Sequence, residues 1–549
     1  MTAISYLPAR TDAKILDLTA GDLLRDVAAA EPDRPALIGR APGQPPRVWT
    51  YRELLDDANR AAQWLLTRFR PGEHVTVWAP NVPEWVLLQY GAALAGLVLV
   101  TANPALRAGE LEYVLRQSKS AGIAYSDSFR GTDMAAIAEQ VRGRLPQVRE
   151  AIRFETWYAE LHDFDGTDQP LPTVEPTAAA QLQYTSGTTG FPKGALLHHR
   201  GLITAAAYVH ERAQFPRHGV WATNLPLFHT TACGMSVLGT AASHGTVVVC
   251  QLFDPTLVLT ALQEHRADLY AGVTPMLRAL LSHPEFDTFG LSTVKVVLSG
   301  GDTVPPDLVH EVEHRFGAKF STIYGLTELS PIVTQTSPDD SIKDKGSTVG
   351  RPLPNVEISI IEPGGDAPVR VGEQGEICAR GYQAMLGYFD MPEQTIDAQG
   401  WVHTGDLGIL DDRGYLRVTG RLKDMIIRGG ENIYPREIED VLANHPAVAG
   451  AVVVGVPDQK WGEICRRDHR TYGPGRPAHR QGAARTGPQP SRADQDTPRL
   501  VPRRTDAHQR DGQAAEVRAA RPDHRRGAGT ASRLLIRAEL EHLSVRKIR

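Results

Sequence analysis

The sequence predicts an α/β protein. A large N-terminal domain of βαβ-type sheets carries a β-rich subdomain, and a small α+β C-terminal domain follows that breaks off in sense after about residue 465. Three observations predict this. Short Val/Ile/Leu runs (HVTVWAP, LVLVTA, GIAYS, GTVVVC, KVVLSG) recur along the chain, and uninterrupted apolar runs of that length suit strands covered on both faces. Amphipathic stretches such as YRELLDDANRAAQWLLTRF alternate with them, which is the pattern of βαβ units. The chain has 549 residues, 42% of them apolar, enough for more than one domain at roughly 150 residues each.

Taken in order, the start MTAISYLPARTDAKILDL has no continuous apolar segment, so no secretory signal is expected. The most apolar stretch, Val86–Ala102, falls short of the roughly 20 residues of a membrane helix. It also contains Gln89 and ends Val-rich, so it reads as a buried helix followed by a short strand. No transmembrane segment and a cytoplasmic location are expected. Between about 355 and 420 the texture changes to NVEISIIEP, GEQGEICARG and GYLRVTG, short strands punctuated by Gly and Pro. GRLKDMIIRGGENIYPREIEDVLANHP then runs into a helix, and AVAGAVVVGV reads as the strand after it. The four cysteines (Cys233, Cys250, Cys378, Cys465) show no CxxC spacing, so neither a disulfide framework nor a zinc module is indicated.

The overall charge of −5 conceals two unlike parts. Residues 466–549 hold 20 basic against nine acidic residues, a net of +11, and leave −16 on the first 465. Between 466 and 533 only Tyr472, Leu500, Val501 and Val517 are strongly apolar. Four such residues cannot offset an ordering cost of about 1–2 kcal/mol per residue, so this tail is expected to be disordered. It has no aromatic interleaving, and nucleic acid is not expected as a partner.

Three motifs carry chemistry. Thr185–Gly194, TSGTTGFPKG, follows the strand-like QLQY. Hydroxyls and glycines there leave backbone N–H groups room to wrap an anion, and Lys193 adds a positive charge; the competing reading is a plain surface loop. In Ser321–Ser330, STIYGLTELS, Tyr324 offers a flat face for a base. Thr327 and Glu328 offer a hydroxyl and a carboxylate for phosphate and Mg²⁺. In Trp401–Gly408, WVHTGDLG, Asp406 is expected in a tight Gly-flanked turn, fit either to accept ribose hydroxyls or to form an ordinary Asx-turn. The adjacent His198–His199 are read as non-ligands.

Together and in this order, the three motifs resemble the adenylate-forming superfamily of acyl-CoA synthetases, luciferases and peptide-synthetase adenylation domains. LPLFHTTACGM (225–235), VVLSGGDTV (296–304), KGSTVGRPLPN (345–355) and GRLKDMIIRGGENIYP (420–435) extend the resemblance over roughly residues 20–465, closest to medium-chain fatty-acid–CoA ligases. The resemblance implies an AMP-binding domain (1–420), a hinge (421–423) and a small domain (424–465) that rotates between two half-reactions. It implies ATP, Mg²⁺ and coenzyme A as co-reactants and a small-molecule carboxylic acid as substrate. Thr185, Ser186, Gly187, Thr188, Thr189, Gly190 and Lys193 would hold the β/γ-phosphates, Glu328 the Mg²⁺ and Thr327 the α-phosphate. Ser299, Gly300, Gly301 and Asp302 would line the adenine side, with Tyr324 stacking and Gly325 beside it. Asp406 and Arg421 would grip the ribose. Lys423 falls at the hinge, Gly429 and Gly430 at the pantetheine tunnel, and His229 at a gate to the acyl pocket. Met235, Val273, Thr274, Gly325 and Leu326 are acyl-pocket candidates, and they include no Lys or Arg. A medium- to long-chain acid is the first expectation. An aryl acid, loading of a carrier protein, or an inactive ATP-binding remnant are the alternatives.

The resemblance also implies a later lysine-bearing segment, of the form LPxTxTGKxxKxxLR, that is missing here. Read one nucleotide forward, however, Asp506–Gln513 (DAHQRDGQ) can encode MPTSATGK and Ala514–Arg521 (AAEVRAAR) can encode LQKFVLRD. The tail is therefore expected to be an out-of-frame translation that begins near residues 465–467.

Overall fold

The computed structural model describes residues 3–166, 170–185, 192–302, 304–391, 395–428, 431–443, 448–458 and 462–471. Two large mixed sheets and an antiparallel sheet form the body. The seven-stranded sheet runs Gly387–Tyr388, Lys193–His198, Ala179–Thr185, Val98–Ala102, His74–Trp78, Gly122–Tyr125, Glu150–Arg153. From Ala179–Thr185 to Glu150–Arg153 the pairing is parallel; the first two strands are antiparallel. The nine-stranded sheet is parallel from Lys319–Tyr324 through Val296–Gly300, Leu269–Ala271, Val220–Thr223 and Thr246–Cys250 to Pro35–Arg40, with short antiparallel strands at both edges. The five-stranded sheet, Tyr6–Leu7, Val356–Ile361, Gln374–Gly381, Val402–Leu410 and Leu416–Arg421, is antiparallel throughout.

The helices between the sheets follow the apolar pattern. Thr50 starts helix Tyr51–Leu66 with a reciprocal capping box to Glu53, which satisfies two otherwise orphaned N–H groups. Leu54, Ala58, Ala61, Ala62 and Leu65 form its buried stripe; burying one such leucine contributes about 1.5–3 kcal/mol. Against it packs Pro83–Leu94, buried on every side, followed by the fully buried strand Val98–Ala102. Gly91 allows the contact, since a Cβ there would lie 2.8 Å from that of Ala61. The helix-then-strand reading of Val86–Ala102 thus matches, and among the described residues no helix is long and apolar enough to cross a membrane.

After Arg421 a single turn, Leu422–Asp424, leads into a separate four-stranded sheet of Glu431–Ile433, Ile426–Arg428, Gly462–Thr471 and Val448–Asp458, with helix Pro435–Ala443 beside it. One expectation needs correction here. The last strand continues six residues past Cys465, pairing Val454 with Arg466 and Val452 with Asp468. Main-chain hydrogen bonds do not depend on side-chain polarity, so an Arg-rich segment can still complete a ladder. The rest of the proposed tail, 472–549, lies outside the described residues.

Candidate active site

The motifs meet where the parallel strands end, the edge at which open α/β sheets bind ligands. Strands Ala179–Thr185 and Lys193–His198 pair antiparallel with Thr185 opposite Lys193. Both residues therefore stand at the base of one loop. Ser186, Gly187, Thr188, Thr189 and Gly190 lie outside the described residues, as do Gly429 and Gly430. In the other large sheet Ser299 is opposite Thr322 and Gly300 opposite Ile323. A Cβ at Gly300 would come within 2.3 Å of the Ile323 carbonyl oxygen, so only glycine lets the strands close there. Gly301 has φ +76°, and with exposed Asp302 it turns the chain out of the sheet. The Ser299 hydroxyl is buried and has no hydrogen-bond partner among the described residues.

Tyr324 ends the neighbouring strand. Its hydroxyl donates to Asp406 Oδ2 at 2.9 Å, and Arg421 Nε lies 3.3 Å from Asp406 Oδ1. Asp406 is not in an isolated turn, as the sequence suggested. It sits within the strand Val402–Leu410, directly across from Arg421, at an irregular stretch where Gly405 has φ +70°. That irregularity is held from below: Glu376 accepts the Gly405 N–H at 3.1 Å and its other oxygen meets His403 Nδ1 at 3.3 Å, while Thr404 Oγ1 donates to the Ile377 carbonyl. Burial raises the Asp406 pKa above the ordinary aspartate value, against the opposing pull of Tyr324 and Arg421.

Thr327 and Glu328 open a one-turn helix, Thr327–Leu329. Glu328 is buried, contrary to the solvated surface carboxylate that its sequence context alone would give. Tyr388 donates to Glu328 Oε1 at 2.6 Å, and Lys193 Nζ lies 5.3 Å from the centre of the Tyr388 ring. Burial, then the Glu328 charge, raises the Tyr388 pKa, keeping the phenol a donor. A buried carboxylate beside a threonine hydroxyl is an all-oxygen donor set, which fits a hard divalent cation such as Mg²⁺.

The acyl-pocket candidates fare unevenly. His229 is exposed, its ring tilted against that of Phe228 with centroids 4.1 Å apart, just before the π-helix Thr231–Leu238. π-Helical segments concentrate at functional sites. Met235, in that helix, is fully buried in the main core. Val273 caps helix Thr274–Leu281, and Leu326 packs half-buried on the core. At Gly325 a Cβ would lie 1.9 Å from the Pro331 carbonyl oxygen, so its smallness serves backbone packing. Lys423 is exposed in the turn after the five-stranded sheet. His198 and His199 are used locally, accepting the backbone N–H groups of Gly201 and Ala20. Sequence reasoning missed Tyr388 and Glu376; the signals available were a tyrosine after Gly387 and a lone glutamate inside an apolar strand.

Residues 24–389 match the family described as AMP-binding enzyme, and residues 437–466 match the AMP-binding enzyme C-terminal domain. YngI of Bacillus subtilis (strain 168), which carries an acyl-CoA synthetase name, is 38% identical over 485 residues, spanning 82% of this chain and 87% of that one. The mitochondrial medium-chain acyl-CoA ligase ACSF2 of Rattus norvegicus is 34% identical, over 84% of this chain and 81% of its own. Among solved structures, a Mycobacterium tuberculosis fatty acyl CoA synthetase superposes with TM-score 0.72 at 29% identity, covering 83% and 88% of the two chains. The o-succinylbenzoate CoA synthetase of Bacillus subtilis, bound to its acyl-adenylate intermediate, also gives 0.72, at 30% identity over 84% and 90%.

Proposed function

The chain belongs to the AMP-binding enzyme family, and from that premise we propose how its residues serve the reaction of an ATP-dependent, AMP-forming acyl-CoA ligase. In that reaction a carboxylate attacks the α-phosphorus of ATP, pyrophosphate leaves, and the acyl-AMP passes its acyl group to the thiol of coenzyme A. The first step sets a carboxylate against a polyphosphate, so the site must supply positive charge and N–H donors where negative charge gathers.

One observation carries the assignment of residues. Two short chains of contact, Lys193–Tyr388–Glu328 and Arg421–Asp406–Tyr324, join motifs that are far apart in sequence. Asp406 and Arg421 would hold the ribose hydroxyls, with the Tyr324 hydroxyl keeping the carboxylate oriented and its ring toward the base. Ser299, Gly300, Gly301 and Asp302 would border the adenine. Lys193 and Thr185, with the loop they delimit, would cradle the β/γ-phosphates, and Thr327 the α-phosphate. Glu328 would hold Mg²⁺, whose chemistry there is to offset phosphate charge. His229 would gate the acyl chain, Lys423 would serve as hinge, and Gly429–Gly430 would border the pantetheine path. The body would end at 420 and the rotating small domain begin at 424.

The acid is proposed to be aliphatic, of medium to long chain, because the candidates around His229 include no cationic side chain and the rat relative is a medium-chain ligase. An aryl acid is the second reading, favoured by the relative that takes o-succinylbenzoate. The working compartment is proposed to be the cytoplasm. Out-of-frame translation after about residue 465 would cost the chain its catalytic lysine, since Gln513 stands where the shifted frame encodes Lys. Pyrophosphate release measured with fatty acids of graded length should be strong for a frame-repaired chain and at least about a hundredfold weaker for the chain as written. Equal rates would sink the frame argument, and no release from either chain would sink the ligase assignment.

A further inference from the structure

One short segment ties both halves of the phosphate end together. Residues 385–389 run between the Glu328 turn and the strand that bears Lys193. The Met385 N–H donates to the Glu328 carbonyl at 2.9 Å, while the Leu386 and Phe389 N–H groups donate to Leu196 and Gly194 on the lysine's strand, each at 2.8 Å. In register, Tyr388 lies opposite Ala195 and Gly387 opposite Leu196. Beyond the segment, Phe389 is pinned by the His74 ring at 4.7 Å and by Gln117, which donates to its carbonyl. A strap fixed this firmly presents one polar side-chain group to the site, the Tyr388 phenol. That phenol meets Glu328 Oε1 at 2.6 Å, and its ring face lies under the Lys193 ammonium.

We propose that Tyr388 is a positioning residue that sets the cation-binding carboxylate of Glu328 and the phosphate-facing ammonium of Lys193 in register with each other. The inference rests on the nucleotide reading above. A phenol donating to one carboxylate oxygen fixes the rotamer and leaves the other oxygen to meet a cation. The ring holds an ammonium by its quadrupole, so hydroxyl and ring do separable work. Without the hydroxyl, Glu328 keeps its charge but loses its aim; without the ring, Lys193 loses its rest position.

Equilibrium binding of ATP to the full chain tests this without any need for turnover, in one arm with excess Mg²⁺ and in another with EDTA. Tyr388→Phe keeps the ring. It should weaken binding in the Mg²⁺ arm by about five- to tenfold and raise the Mg²⁺ concentration for half-maximal effect, with EDTA-arm binding held within about twofold. Tyr388→Leu should lose a further factor of about three in both arms. A Tyr388→Phe chain with the parent's Mg²⁺ dependence overturns the proposal, as does an equal loss in both arms, which marks a general packing role. A parent chain that binds ATP in neither arm overturns this inference and the nucleotide reading together, whereas a parent that binds normally beside an unaffected Tyr388→Phe overturns the inference alone.

Discussion

Asp406 shows how a single side chain is held ready at a cost. Its carboxyl is half-buried, its pKa is raised by the loss of solvent, and Tyr324 and Arg421 offset only part of the penalty. Because the folded pKa lies above the unfolded one, ionising Asp406 erodes stability as pH rises between the two values, and the cost is fully present above the folded value. Asp406→Asn removes the charge while leaving an oxygen to accept from Tyr324. The variant should melt no lower than the parent at pH 7, while ATP binding measured by calorimetry weakens roughly ten- to hundredfold through loss of a charged acceptor. A variant that keeps full affinity would remove Asp406 from the nucleotide site. Residue-level roles were unevenly legible in the sequence. Asp406 and Glu328 could be singled out from their motifs, but the partners that aim them, Tyr388 and Glu376, come from strands far away in sequence, and a contact of that range leaves no local pattern.

At the scale of elements, the turn from Tyr324 to Pro331 depends on one glycine. An alanine at Gly325 would drive its Cβ to 1.9 Å from the Pro331 carbonyl, backbone against backbone, with no flexible side chain to give way. Gly325→Ala should therefore destabilise the chain by about 1–3 kcal/mol in denaturant unfolding and displace Thr327 and Glu328 with the turn. Unchanged stability would mean that the turn has slack the contact does not reveal. The apolar strand runs and capped helices were readable because burial on both faces and 3.6-residue periodicity are local signals. The irregular strand around Gly405 was not, because a bulge is created by the partner strand. The strand beyond Cys465 was missed for a related reason: its support is main-chain pairing with Val448–Asp458, to which composition is blind.

At the scale of the whole molecule, acid lability is built into helix His199–Arg212. His210 is fully buried between the Met235 carbonyl and the Ser243 hydroxyl. A carbonyl only accepts, so Nε2 carries the proton and Nδ1 accepts. Desolvation lowers its pKa to about 3, and that of His199 to about 4. Both folded values lie below the unfolded imidazole value, so stability present above about pH 6.5 is lost as pH falls through the interval, about 2 kcal/mol for each residue by pH 5. Unfolding free energies at pH 7 and pH 5 should show this loss, and His210→Gln should shrink the difference by about 2 kcal/mol; an unchanged difference would exclude His210 as a source. The opposite charges of body and tail, −16 and +11, belong to this scale too, since no single motif contains them. So does the hairpin of Val448–Asp458 and Gly462–Thr471, whose Val452, Val454 and Ile464 are 58%, 48% and 37% exposed. Uncovered β-branched side chains on paired strands invite association with other chains. An exposed apolar face of this kind favours association and loss of the chain from solution, a limit set by strand pairing and not by the nucleotide chemistry.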